Sequence, residues 1–544
     1  MPASPELQEK IIRTRQALSE MKSRGQSMGQ FRPTEGLLDL DSYFTIINRP
    51  AKTFPDTLVA PTSEFVPVMG VRNALVLLVD FPDSEAGESK EHFSEMLFSQ
   101  GTYYGGSMRD YYKEVSYGQV DVQGEVFGWY RAPQPKSYYT NNEHGFGTYP
   151  TNAQKLVEDV LDLANQDVTF GPYDNLGDGT VQALIIIAAG SGGEQTGNKS
   201  DIWSHKWNIE PREVDTKKAE KYFMAPEDGR VGVMSHELGH LLMSWPDLYD
   251  TDYTSRGTGN WDLMAGGSWN NNGNTPAHPS AWCKLQAGWI TPKVVTNEQQ
   301  EVEITPYHQQ GDVYKLAVNG DPDSKEYFLL SNRKTEGFDY YLPGEGLIIE
   351  HVDDNQSNNS DENHYLVDIE QADGERNLNL NYNSGDYTDA FPTDSNTEFN
   401  AASNPNSKTY ADADSTVAVT DIQRSGENIT AKLIAGKVAP PKWVKDQVIT
   451  KTYANSLEKM NYIMVKGSEE WKKVNHDKAE GDTAIFEAAC LAHVHNRKVD
   501  LLMDENRIYA IQLNGVEGTN GSSDAAKADV ILSAGQQPQI VSQP

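Results

Sequence analysis

VGVMSHELGHLLMSWPDLYD, Val231 to Asp250, carries two histidines, His236 and His240, four positions apart, with Glu237 directly after the first. On an α-helix that spacing puts both imidazoles on one face, one turn above each other. Two imidazoles so placed can share a metal ion, and Glu237 then reaches a water bound to it, which is the arrangement of a zinc hydrolase helix. Val231, Val233, Met234, Leu238 and Leu241 supply an apolar face and Ser235 is small, as a buried active-site helix requires. The same pattern also arises by chance on a core helix in a chain with 12 histidines, so the flanks decide.

Upstream, NALVLLVDFPD from Asn73 is an apolar run ending in acidic residues and proline, as a buried strand leaving a sheet reads. Residues 90–117 have helical spacing, VDVQGEVFGWY (120–130) alternates as a strand does, TNAQKLVEDVLDLANQ (151–166) is an amphipathic helix and VQALIIIAAG (181–190) a second buried strand. The mixture predicts an α+β fold. Leu7, Ile11, Ile12, Leu18 and Met21 among many charges predict an amphipathic helix over residues 5–24. The remainder of residues 1–70 is rich in proline and polar residues and reads as an N-terminal arm, either prosegment-like or an ordinary structural lead-in. Cys283 and Cys490, the only cysteines, lie outside it, which excludes a latency device built on a cysteine.

Downstream stand TGNWDLMAGGSWNNNG and TPAHPSAWCKLQAGWI. Taken in order with RNALVLLVDFPD, GSMRDYYKEVSYGQVDVQGEVFGWY, DIWSHKW, HELGH and PDLYD, they make the chain resemble the immune inhibitor A-like family of secreted bacterial zinc metalloproteases, a branch of the metzincins. The resemblance continues through EYFLLSNRK, GFDYYLPGEGLIIEHVD and DENHYLVDIEQADG, from about Asn73 to Leu433. It implies that His236 and His240 are zinc ligands, that Glu237 is the catalytic carboxylate, and that Met264 is the methionine of the turn beneath the metal. It also implies protein or peptide substrates, hydrolysed by a metal-activated water with Glu237 as general base and acid, and an extracellular setting. Residues 1–30 contain no apolar signal-peptide core, so a cytoplasmic setting is the alternative.

The third ligand departs from the pattern. Metzincins continue HExxHxxGxx(H/D), where the glycine turns the chain back toward the metal. Met243 stands at the glycine place here, and the acidic residue comes one position late. By match to the PDLYD element Asp247 is the third ligand, with Asp250 as runner-up; Asp247 also reads as a turn aspartate after Pro246. This departure keeps open a second reading, a catalytically weak or inactive homologue that binds surface polymers.

Calcium is a second candidate cofactor. YDNLGDGTVQ places Asp174, Asp178 and Gly179 as an Asp/Asn-Gly calcium loop does, although Leu176 and Gln182 stand where further oxygen ligands belong, and a Gly-rich turn is the competing reading. The acidic run HVDDNQSNNSDENH (351–364) offers Asp353, Asp361 and Glu362 to the same ion, or is a solvated loop. His205 and His278 lack ligand spacing and read as structural.

After Trp289, EVEITPY, VYKLAV, EYFLLSNR, GLIIEHV, YLVDIEQA, VAVTDI and ITAKLI alternate between Asn/Asp/Gly turns, which predicts a β-sandwich. AGKVAPPKW contains a Pro-bearing linker, and the strand-like pieces beyond it, TAIFEAACLAHVH with His493 and His495 among them, predict a small β-rich domain. The expected organisation is an arm (1–70), a metzincin-like zinc protease domain (71–292), a β-sandwich (293–434), a linker (435–442), a small β-rich domain (443–515) and a Gly/Ser/Gln-rich flexible tail (516–544). The net charge of −33 argues against nucleic acid and anionic membranes as partners, and no run is long enough to span a bilayer.

Overall fold

A computed structural model describes residues 1–48, 67–297, 299–436, 442–455, 460–467, 471–474, 479–503, 507–513, 528–533 and 539–542. The chain divides into two compact units, Met1–Gly436 and Lys437–Pro544.

The first unit opens with α1 (Pro5–Ser23), capped by the Ser4 side chain and started by proline at its first position, and with α2 (Leu40–Ile47). A five-stranded sheet follows, built from β1 (Gly70–Asp80), β2 (Val120–Arg131), β3 (Leu184–Ala188), β4 (His205–Val214) and β5 (Lys217–Pro226) in the order β2-β1-β3-β5-β4. The first four in that order run parallel and β4 is the antiparallel edge. Helices α3 (Lys90–Phe98), α4 (Met108–Val115), α5 (Ala153–Ala164) and α6 (Val231–Met243) pack on its faces. The apolar run of β1 has a direct cause in this layering: Ala74, Val76 and Leu78 face one core with α6, whereas Leu75, Leu77 and Val79 face another with α5. A strand covered on both faces has no polar side to alternate with.

The region after Trp289 starts with α7 (Ala281–Gln286) just before it and forms two sheets. One holds β6 (Lys293–Val295), β8 (Val313–Ala317), β9 (Glu326–Arg333), β10 (Gly346–Asp353) and β11 (Val367–Ile369); the other holds β7 (Gln299–Ile304), β12 (Val417–Ser425) and β13 (Asn428–Ala435). Leu316, Phe328, Leu330, Leu347 and Ile349 of the first share a core with Ile304, Val417, Val419, Ile429 and Leu433 of the second. Alternate residues of β9 and β10, among them Tyr327, Leu329 and Val352, turn the other way into the core that also holds α6. The two-sheet region is thereby fused to the α/β layers and supports the site from below.

Among its described residues the second unit holds a seven-stranded sheet, β14 (Lys442–Asn455) to β20 (Gln539–Ser542), with one helix, α8 (Ala479–Val494). Here two expectations fail. TAIFEAACLAHVH is helix, not strand, because Ile485, Ala488, Ala489 and Ala492 recur at helical spacing and are all buried on the sheet. His493 is therefore a helix residue and His495 follows the helix end, so they do not alternate along a strand. Within the expected tail, β19 (Ala528–Ser533) and β20 pair with each other, and β19 pairs with β18 (Arg507–Leu513). Most of the expected linker, residues 437–441, lies outside the described residues. Among the described residues no helix is long and apolar enough to cross a membrane.

Candidate metal centre

Helix α6 is buried along almost its whole length. Tyr112 of α4 donates from its hydroxyl to the Ser235 carbonyl at 2.6 Å, and Gly232 lets the helix approach the Ser268 main chain, which a Cβ would meet at 1.9 Å. Gly239, between the two histidines, has the same role on the opposite side: a Cβ there would stand 2.9 Å from the Trp245 ring and 3.1 Å from Met264 Sδ. Met264, fully buried, thus packs under the helix at the level of the histidine pair.

His236 Nε2 and His240 Nε2 lie 3.0 Å apart, and Asp247 Oδ1 is 3.2 Å from the first and 3.1 Å from the second. The far sides of both rings are fixed: His236 Nδ1 is 3.0 Å from the Leu263 carbonyl and His240 Nδ1 is 2.5 Å from that of Trp245. A carbonyl only accepts, so each Nδ1 carries the proton and each Nε2 is left with a lone pair. Two lone pairs and a carboxylate oxygen then converge without a proton between them. That donor set is unfavourable alone and fits a cation, and two imidazole nitrogens with one carboxylate suit zinc with a fourth position open. The chemistry of the donors thus matches the metal implied by the sequence.

The turn after the helix shows how Asp247 arrives. Met243 is still helical; the reversal falls on Ser244, whose φ of 55° is left-handed. The turn residue is displaced by one position from the glycine place, and the acidic residue is displaced by one as well. A non-glycine residue in that conformation costs roughly 1–2 kcal/mol, met here by the surrounding packing. Asp250 is not brought to the histidines. Its carboxylate is buried in its own loop, accepting from the Thr254 and Ser255 main-chain N–H groups at 3.1 and 2.9 Å and from the hydroxyls of both residues.

Glu237 is fully buried, and its Oε2 accepts no hydrogen bond from the described residues. Its Oε1 faces the Met1 ammonium at 2.8 Å. Burial pushes this carboxyl up, but the Met1 ammonium and the two neighbouring imidazoles outweigh it and leave it below the ordinary glutamate value. Burial, with the same ammonium, holds His236 below its ordinary value, in keeping with a neutral ring.

The sequence offered no sign that residues 1–4 enter this site. Trp203 Nε1 donates to the Met1 carbonyl at 2.8 Å, Trp269 Nε1 to that of Pro2 at 3.1 Å, the Ala3 N–H to Tyr253 Oη at 3.0 Å and the Ser4 N–H to the Glu194 carbonyl at 2.7 Å. Leu7 and Ile11 of α1 hold the segment down through a core shared with Trp203, Tyr249 and Tyr253. The other candidates lie apart. Asp174 pairs with Lys217 at 2.7 Å and Asp178 accepts from Thr180 and Gln182, so these carboxylates do not converge on a common cation position. Asp353 Oδ2 is 2.7 Å from His364. His205 is bound to Trp203 and Tyr222, and His278 to Glu114 and Lys284.

An HExxH helix under a mostly parallel sheet, with a histidine pair and an aspartate around one point, defines the class: a metallopeptidase domain. Residues 71–294 match the family described as "Immune inhibitor A peptidase M6, catalytic domain". It is 33% identical over 335 residues to the "Pre-pro-metalloprotease PrtV" of Vibrio cholerae serotype O1, which covers 48% of this chain and 36% of the relative. It is also 33% identical over 248 residues to "Immune inhibitor A" of Bacillus thuringiensis subsp. alesti, covering 36% of each. The chain therefore spans about a third of the length of these relatives.

Proposed function

We propose that the chain is a zinc-dependent endopeptidase of metzincin type, acting on protein or peptide substrates outside the cell. The observation that carries this reading is the convergence of the two imidazole Nε2 atoms and the Asp247 carboxylate beside Glu237. A zinc ion bound there would lower the pKa of a coordinated water toward about 7 and polarise a peptide carbonyl. Glu237 would accept a proton from the attacking water and return it to the departing amine, a task that needs an ionised carboxylate with a free oxygen. Leu263 and Trp245 keep both imidazoles in the tautomer that leaves Nε2 bare, Met264 packs beneath, and the buried wall excludes bulk water.

Met1–Ser4 is seated beside Glu237 with its main chain bonded on both sides, and it occupies the space in front of the group that must accept the proton. While it is seated, the chain is held inactive. Replacement Glu237→Ala tests the catalytic reading in a chain whose N-terminal segment has been released: casein hydrolysis is expected to vanish while one zinc per chain remains. Hydrolysis undiminished in that variant would overturn the assignment.

A further inference from the structure

Five strands of the second unit close on themselves. The long strand β14 pairs through Lys442–Val448 with β17 (Lys498–Met503) and through Ile449–Asn455 with β15 (Met460–Val465), both antiparallel and each with a register shift. β15 pairs antiparallel with β16 (Lys472–Val474) and β17 with β18; Lys473 and Val474 then run parallel to Arg507 and Ile508 of β18, which joins the two ends. Every strand sends an apolar side chain inside: Ile449, Ile463, Val474, Leu501 and Ile508 share one buried core, onto which α8 packs Ala489. Such a barrel, closed by a parallel pairing of its third and fifth strands and with its helix between the third and fourth, has the topology of the oligonucleotide- and oligosaccharide-binding fold.

A fold alone assigns no ligand; the outer face of this barrel does. Side chains alternate across a strand, so the buried Ile463 puts its neighbour Tyr462 outside. Tyr462 stands opposite Tyr453 of β14 in the ladder, with ring centres 6.2 Å apart. The Trp471 ring, just before β16, is 6.0 Å from that of Tyr453. Tyr453 is 52% exposed and Trp471 42%, so these rings are not part of the core. Aromatic rings gathered in the open on one face, over the first three strands of such a barrel, mark a binding surface.

We propose that the face formed by Tyr453, Tyr462 and Trp471 binds a neutral oligosaccharide of glucose or N-acetylglucosamine type. In these sugars the ring substituents are equatorial, which leaves flat C–H faces to pack on aromatic rings while the hydroxyls stay in water. Charge decides against the other ligand class of this fold. Single-stranded nucleic acid is held by a basic groove as well as by stacking. Across residues 442–513 lysine and arginine together equal aspartate and glutamate in number, and Glu469 and Glu470 directly precede Trp471 in the chain. The other residues therefore carry the whole net charge of −33, which repels a polyanion further. A neutral sugar meets neither obstacle. Bound there, it anchors the chain to a polysaccharide by a site separate from the zinc centre.

The full chain is titrated by calorimetry with cellohexaose and with N-acetylated chitohexaose, and with a thymidine oligonucleotide as the polyanion. Saturable binding of at least one of the two sugars is expected, with a Kd at or below about 1 mM, and none of the oligonucleotide at about 0.15 M salt. Tyr453→Ala and Trp471→Ala are each expected to weaken the sugar about fivefold or more, the loss typical of an aromatic anchor. Both side chains are exposed, so the fold is retained, and Trp443→Ala, which removes an exposed tryptophan at the other end of β14, is expected to leave affinity unchanged. No binding of either sugar by the wild type, equal affinity in the wild type and both face variants, or an oligonucleotide bound more tightly than the sugars would overturn the proposal. A dimer in solution that Trp471→Ala converts to monomer would assign the face to a second copy of the chain instead.

Discussion

The Met1 α-amino group stands 2.8 Å from Glu237 Oε1, and neither group reaches solvent. A group seated against this oxygen keeps water and substrate from it, so the docked segment opposes the very step for which Glu237 is placed. Leu7 and Ile11 anchor that segment through a core shared with Trp203, Tyr249 and Tyr253. Replacing both by aspartate would bury two unpaired charges if α1 stayed docked, so the helix is expected to leave. Casein turnover by the Leu7→Asp, Ile11→Asp chain, loaded with zinc, should rise by about tenfold or more, equivalent to about 1.4 kcal/mol of docking energy lost. Turnover equal to wild type, with α1 shown to be displaced by protease accessibility, would mean that the segment does not hold the site closed.

Asp247 and Asp250 are three residues apart and separable by experiment. Asp247 faces the two Nε2 atoms, whereas Asp250 is spent on the Thr254 and Ser255 groups of its own loop. Asp247→Ala should lower zinc affinity by roughly 100-fold or more, judged against the 10–100-fold that outer-shell losses cost. Asp250→Asn should keep one zinc per chain and reduce Tm, since it weakens a buried loop. A zinc titration showing the reverse order would make Asp250 the ligand.

Much of this arrangement is legible in the sequence because it follows from local rules. The run from Ala74 to Val79 has no polar alternation and predicts a strand covered on both faces, which is where it lies. The four-residue spacing of His236 and His240 fixes their common face on any helix. What the sequence hides is set by contacts between distant residues. Ser244 adopts a left-handed conformation that no residue preference announces, and this shift delivers Asp247. Met1 reaches Glu237 because α1 docks on Trp203 and Tyr253, a matter of tertiary packing. Asp389 meets Trp261 across 128 positions. TAIFEAACLAHVH misleads for another reason: alanine at the buried positions gives helical spacing without large apolar residues to mark it.

Gly239 offers a test of the packing beneath the metal. In most helix interiors Gly→Ala gains about 1 kcal/mol. Here the added Cβ would stand 2.9 Å from the rigid Trp245 ring, whose residue also holds His240 Nδ1 through its carbonyl. Overpacking of this kind typically costs about 1–3 kcal/mol, so a net loss of stability is expected from Gly239→Ala. Because the strain falls on Trp245, zinc affinity should fall as well. A variant with higher Tm and unchanged zinc affinity would show that the floor of the site yields freely.

His351 gives the first unit a pH-dependent stability. Its ring lies in β10 between Glu326 and Glu370, at 3.0 and 3.1 Å, and stacks on Tyr410 at a ring-centre distance of 4.3 Å. Burial alone would lower its pKa, but the two carboxylates prevail and raise it from 6.5 to about 9. The folded value lies above the unfolded one, so the contribution is complete below pH 6.5 and is lost as pH rises through about 9. The full shift corresponds to about 3 kcal/mol. Asp368, which burial raises to about 7, acts in the same direction over a lower range, so the wild-type profile contains both. The variant His351→Asn should be less stable at pH 6 and should lose much less between pH 7 and 9, as measured by chemical unfolding of the zinc-bound chain. Parallel profiles for variant and wild type would show that the ring does not titrate with folding.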